Sequence, residues 1–112
     1  MAKKYLANAF SLNMVAFPAA AEYPQATVHL TQVPVEMARE LAAEAESIVG
    51  HEDTARIFSD ILGRPVEFRR ASVALQPGDT VLVGQYSGPR LPEGSTSLPA
   101  GAKITWIVVQ VM

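Results

Sequence analysis

His51 stands between Gly50 and the acidic pair Glu52–Asp53, at the point where a helix is expected to start. An imidazole is the side chain best matched to proton transfer near neutral pH. His51 therefore reads either as a general acid–base group or as a solvated histidine at a helix end. Its surroundings pull its protonation in opposite directions: two carboxylates favour the charged, acid-competent ring, and the positive end of a helix opposes it. The other histidine, His29, shares the polar face of an expected strand with Thr27 and Thr31, and its role reads as structural.

Glu93 follows Arg90 by three residues, with Pro89 and Pro92 stiffening the backbone around them. As a surface ion pair the two would add little stability. As functional groups they would bring a guanidinium to an anion and a carboxylate to a reacting hydroxyl. Arg69 and Arg70 extend that theme, because a guanidinium grips phosphate through two parallel hydrogen bonds. Neighbours on extended chain face opposite ways, so one arginine of the two is expected at a given ligand. Asn8, Ser11 and Asn13 cluster at the end of the first expected strand, either as turn formers or as hydrogen-bonding groups for a nucleotide. The chain has no phosphate-loop motif, no dinucleotide glycine fingerprint and no HExxH-type or paired-carboxylate metal motif, so a nuclease reading needs a route without a metal or other cofactor.

These groups must be positioned by 112 residues, a length suited to a single domain spanning 1–112. Apolar residues make up 49% and charged residues 18%, which is enough to drive folding. With 9 Lys+Arg against 11 Asp+Glu the formal charge is −2, contrary to the basic excess of a protein that coats duplex DNA. The absence of cysteine removes disulfides, thiolate catalysis and Cys-based metal sites. No apolar run approaches the ~18 residues of a membrane span. Asn8 interrupts the stretch where a signal peptide would be apolar, so the expected location is the cytoplasm.

The pattern along the chain predicts a strand over 4–10, a loop over 11–24, and a strand over 26–33 with Val28 and Leu30 on its apolar face. Pro34 opens a helix of about three to four turns, carrying Met37, Leu41, Ala45 and Ile48 on one side and stopping at Gly50. A second helix begins at Glu52–Asp53, buries Ala55, Phe58, Ile61 and Leu62, and ends at Gly63. A strand over 66–75 has broken parity and calls for a bulge at Arg69–Ala71. The turn Gln76–Pro77–Gly78–Asp79 then leads into an antiparallel partner strand over 80–86. The continuous apolar run 104–111 predicts an interior strand. The fold class is thus α/β: a mixed sheet of about five strands with the helices mainly on one face. Between the last two strands, the Pro- and Gly-rich segment 86–102 is too long for a plain connection and reads as a lid or binding loop.

The run Tyr5-Leu6-Ala7-Asn8-Ala9-Phe10-Ser11-Leu12-Asn13-Met14 resembles the opening signature of the viral ring nucleases that act as type III anti-CRISPR proteins. The resemblance continues through Val49–Ala55, Arg70 and Gln85–Gly94, in the same order, and leaves 17–47 uncovered. It implies a homodimer that binds cyclic tetra-adenylate and cleaves it. It further implies that His51 is the general acid for the departing 5′ oxygen and that Glu93 acts on the attacking 2′-hydroxyl. Arg70 and Arg90 are implied as phosphate ligands, with Asn8, Ser11, Asn13 and Gln85 lining the pocket. Arg69 departs from the pattern, standing where relatives can carry a polar residue.

Attack by a ribose 2′-hydroxyl on its own 3′ phosphate asks for a base, an acid and positive charge, and leaves a 2′,3′-cyclic phosphate. A dimer would offer one ligand-symmetric set of groups to opposite phosphates. At a formal charge of −4, twice −2, it needs locally concentrated positive charge from Arg70, Arg90 and the second helix's N-terminus. Two other readings stand beside this one: a non-enzymatic dimeric viral regulator that binds nucleic acid, and a sponge that holds the cyclic nucleotide without cutting it.

Overall fold

The computed structural model describes residues 2–112. Five strands form one mixed sheet: β1 (Lys4–Ala7), β2 (Val28–Val33), β3 (Glu46–Ser47), β4 (Thr80–Ser87) and β5 (Lys103–Val111). Their spatial order is β2-β5-β4-β1-β3. β1 runs parallel to both β3 and β4, and β5 lies antiparallel between β2 and β4. The apolar run of β5 is therefore interior, as its composition requires. Two helices, α1 (Val35–Ala42) and α2 (Glu52–Leu62), complete the α/β fold.

Both helices lie on one face of the sheet. Ala38 and Ala42 from α1 and Ala55, Phe58 and Leu62 from α2 pack against Leu6, Leu82 and Trp106. Phe58 and Trp106 meet with ring centroids 5.0 Å apart and planes tilted by 59°. Gly84 on β4 lies beneath both rings, and a Cβ there would come within 2.4 Å of Phe58 Cζ and 2.6 Å of Trp106 Cζ3. On the opposite face Tyr5, Ala7, Val81, Val83, Val109 and Val111 form a second core, covered by Leu75 and Val73 from a connecting segment. Buried Asp79 clamps this end of the sheet: its carboxylate accepts the Lys3 N–H at 2.8 Å and the Gln76 N–H at 2.9 Å.

Four expectations from the sequence are corrected. The first helix stops at Ala42 rather than Gly50, and its buried side is Ala38 and Ala42, with Met37 and Leu41 exposed. After a turn, extended chain from Glu46 onward lets Ile48 and Val49 bury on opposite faces of the sheet, which one helix face cannot do. The segment 66–75 forms no strand; its ladder pairing is limited to single bridges, Phe68 with Val49 and Leu75 with Val15. Its backbone groups are satisfied piecemeal: the Val66 N–H donates to Ser59 Oγ at 2.8 Å, and the Glu67 carbonyl accepts from Ser47 Oγ at 2.6 Å. β4 consequently has no hairpin partner before it and pairs with β1 and β5 instead. The turn at Gln76–Asp79 does form, closed by the Asp79 N–H to the Gln76 carbonyl at 3.0 Å. The first strand is also shorter than its apolar run, ending at Ala7.

Candidate functional site

The chemistry-bearing residues gather where the parallel strands β1 and β4 end and α2 begins. In open α/β sheets this is the end where side chains and a helix N-terminus meet without a covering layer. His51 is the residue that precedes α2, in extended conformation and exposed, and its ring makes no capping hydrogen bond. The imidazole is thereby left to other partners while the backbone still starts the helix. Glu52 and Asp53 occupy the first turn, where the helix dipole favours negative charge. Arg56 holds both, at 2.6 Å to Glu52 and 3.2 Å to Asp53, on the outer side of the helix start and outside the lining of the site.

The loop 88–102 leaves the sheet after the Ser87–Lys103 pair and folds over the start of α2. Its neck is tight: a Cβ on Gly88 would lie 2.7 Å from Ala102 Cα. The Tyr86 hydroxyl donates to the Pro89 carbonyl at the first bend. Farther along, the Gly94 N–H donates to Asp53 Oδ2 at 3.1 Å. The result is a cavity of about 910 Å³ lined by His51, Glu52, Asp53, Thr54, Tyr86 and residues 90–93. It brings His51, Arg90 and Glu93 together although they come from a helix start and a distant loop.

A second cavity, of about 340 Å³, holds Asn8, Ser11, Asn13 and Arg70 beside Gly50. The Gly50 N–H lies 3.4 Å from the Asn8 side-chain oxygen, tying the end of β1 to the segment before His51. Arg70 reaches this cavity across Gly50, whereas Arg69 turns to an ion pair with Glu46 at 3.2 Å. Only one arginine of the pair thus faces the site. Gln85 lies apart, on the sheet face away from the helices, in a third hollow of about 330 Å³ that also contains Asn8, Leu30 and Ile107. Within one chain the expected residues therefore fall into three adjoining depressions, with Asn8 shared by two.

Thr54 and Tyr86 join the site on structural grounds, and Asp53, read in the sequence only as a neighbour of His51, gains a contact with the loop there. Asp53 and Gly94 are separated by 41 residues, and no spacing in the sequence announces their contact. Among the described residues no group of three or more His, Asp or Glu side chains is placed to hold a metal ion. Among them, too, no helix is long and apolar enough to cross a membrane.

The family model described as STIV B116-like matches residues 4–101. Among solved structures, the chain resembles B116 of Sulfolobus turreted icosahedral virus, with a TM-score of 0.70 and 22% sequence identity, over 96% of this chain and 98% of that one. No protein of curated function matches the chain.

Proposed function

We propose, starting from the fact that the chain belongs to the STIV B116-like family, that it is a metal-independent ring nuclease for cyclic tetra-adenylate. The observation that carries this reading is the shared cavity of His51, Arg90 and Glu93 at the start of α2. In that cavity Glu93 takes the proton of a ribose 2′-hydroxyl as its oxygen attacks the adjacent 3′ phosphorus. The bond from phosphorus to the 5′ oxygen breaks, and the His51 imidazolium protonates the departing oxygen. Arg90, the N-terminus of α2 and Arg70 from the neighbouring cavity stabilise the phosphate as charge builds on it. The product end is a 2′,3′-cyclic phosphate and the other end a 5′-hydroxyl. Two cuts yield two linear di-adenylates, which removes the signal that type III CRISPR defence depends on.

The reading includes a homodimer in which a two-fold protein meets a two-fold ring. Two observations support it: the site residues of one chain lie in separate depressions, and Leu30 is 64% exposed beside Ile107 on the sheet face away from the helices. A second copy would cover this apolar surface, and sedimentation equilibrium measures whether it does. A viral or prophage origin and action in the host cytoplasm belong to the same proposal.

The decisive experiment is a single-turnover assay of labelled cyclic tetra-adenylate in EDTA, with products resolved by chromatography. The expected product is di-adenylate ending in a 2′,3′-cyclic phosphate. A ring that stays intact but shifts on a native gel identifies a sponge. An intact, unbound ring removes the reading altogether.

A further inference from the structure

Resting on the ring-nuclease reading, we infer that Asp53 is a positioning residue that fixes the loop carboxylate of Glu93 relative to His51. Beyond its neck, the loop 88–102 is held by its own turns, with the Ser95 N–H to the Pro92 carbonyl at 3.2 Å and the Ala102 N–H to the Pro99 carbonyl at 3.1 Å. Among the described residues, its one hydrogen bond to a helix is the Gly94 N–H to Asp53 Oδ2 at 3.1 Å. Gly94 directly follows Glu93 and has φ +83°, a left-handed backbone that glycine adopts without cost. The contact therefore grips the backbone at the residue next to the reacting carboxylate.

Asp53 is suited to the task. Its side chain is 18% exposed, and Arg56 pairs with Oδ1 at 3.2 Å, which leaves Oδ2 to the loop. It lies two residues after His51, in the first turn of α2. The same short stretch of chain thus carries the acid and anchors the loop that brings its partner. Holding two reacting groups in register is worth large factors in rate, and a displacement of ~1 Å costs up to about a hundredfold.

Single-turnover cleavage of cyclic tetra-adenylate by Asp53→Ala, Asp53→Asn and Arg56→Ala, with binding measured in parallel, tests this role. Asp53→Ala is expected to slow cleavage about tenfold while the dissociation constant changes far less. Asp53→Asn keeps an oxygen for the Gly94 N–H and is expected to recover most of that rate. Arg56→Ala breaks the ion pairs but leaves the loop contact, and is expected to cleave within about twofold of wild type. Combining Asp53→Ala with Glu93→Ala should slow the reaction no further than Glu93→Ala alone, because Asp53 acts through Glu93. Hydrogen exchange at the Gly94 amide supplies a readout independent of activity: its protection should fall in Asp53→Ala and persist in Asp53→Asn. Wild-type rates in Asp53→Ala, or equal losses in Asp53→Ala and Arg56→Ala, overturn the role while leaving the ring-nuclease reading standing. An intact ring with wild-type protein overturns both.

Discussion

The aliphatic stem of Arg70 crosses the backbone of Gly50 so closely that a Cβ on that glycine would stand 3.2 Å from Arg70 Cγ. The residue preceding His51 thereby sets where the guanidinium of the neighbouring cavity lies. Gly50→Ala needs no unusual backbone angle, because Gly50 has no positive φ. Arg70 is exposed and can yield, so the fold should tolerate the change. Its cost should appear in the ligand instead: cyclic tetra-adenylate should bind about threefold to tenfold more weakly as the phosphate grip shifts. Isothermal titration beside thermal melting separates the two effects.

His51→Ala should retain binding and lose cleavage by about 10²–10⁴-fold, the ordinary contribution of a well-placed general acid. A pulse of labelled ring with excess enzyme measures this directly. Turnover equal to wild type would assign the imidazole back to the solvated helix end.

Gly84→Ala drives a methyl group into Phe58 and Trp106, two rings that are locked in the core and cannot swing aside. Overpacking of this kind costs about 1–3 kcal/mol. The urea midpoint should fall with an unchanged m value.

Asp79→Ala strands two backbone N–H groups, those of Lys3 and Gln76, that the buried carboxylate now accepts. The expected loss is about 2–4 kcal/mol. Asp79→Asn retains one acceptor oxygen and should lose less, so the order of the two variants in denaturant checks the account.

The hydrogen bond and the charge of Lys4 hold the Glu44 carboxyl below its ordinary value of 4.5. A lowered folded value means that the pair's contribution is present at neutral pH and is lost as pH falls through that value. The pair is exposed, so the change in overall stability should be slight. An NMR titration of the Glu44 carboxyl should show a midpoint below 4.5 that rises toward it in Lys4→Met.

Where a local pattern decides the outcome, the chain was legible. Gly63, the acidic first turn and the period of Ala55, Phe58 and Leu62 marked α2, and the unbroken apolar run marked β5 as interior. The bunching of Pro and Gly after Tyr86 marked the long loop, and the alternating directions of extended chain separated Arg69 from Arg70. Legibility ended where partners lie far apart in sequence. Nothing near Ala42 stops α1; the burial of Ile48 and Val49 on two faces does. The broken parity at Arg69–Ala71 is real but marks the lack of a ladder rather than a bulge. Leu30 alternates as a buried residue should, yet β2 is an edge strand and leaves it exposed.

Arg70 travels on a connecting segment that joins the rest of the fold through isolated bridges at Phe68 and Leu75, with no continuous ladder between them. A ladder would couple every insertion or deletion to the register of the whole sheet. Here, a residue gained or lost between those bridges changes the reach and angle of Arg70 without shifting the register of any strand. Surface connections tolerate such length changes well. The sheet and α2 can stay constant while one cavity-lining side chain is re-aimed, so members of this family can differ in what that cavity admits through length changes in a single short stretch.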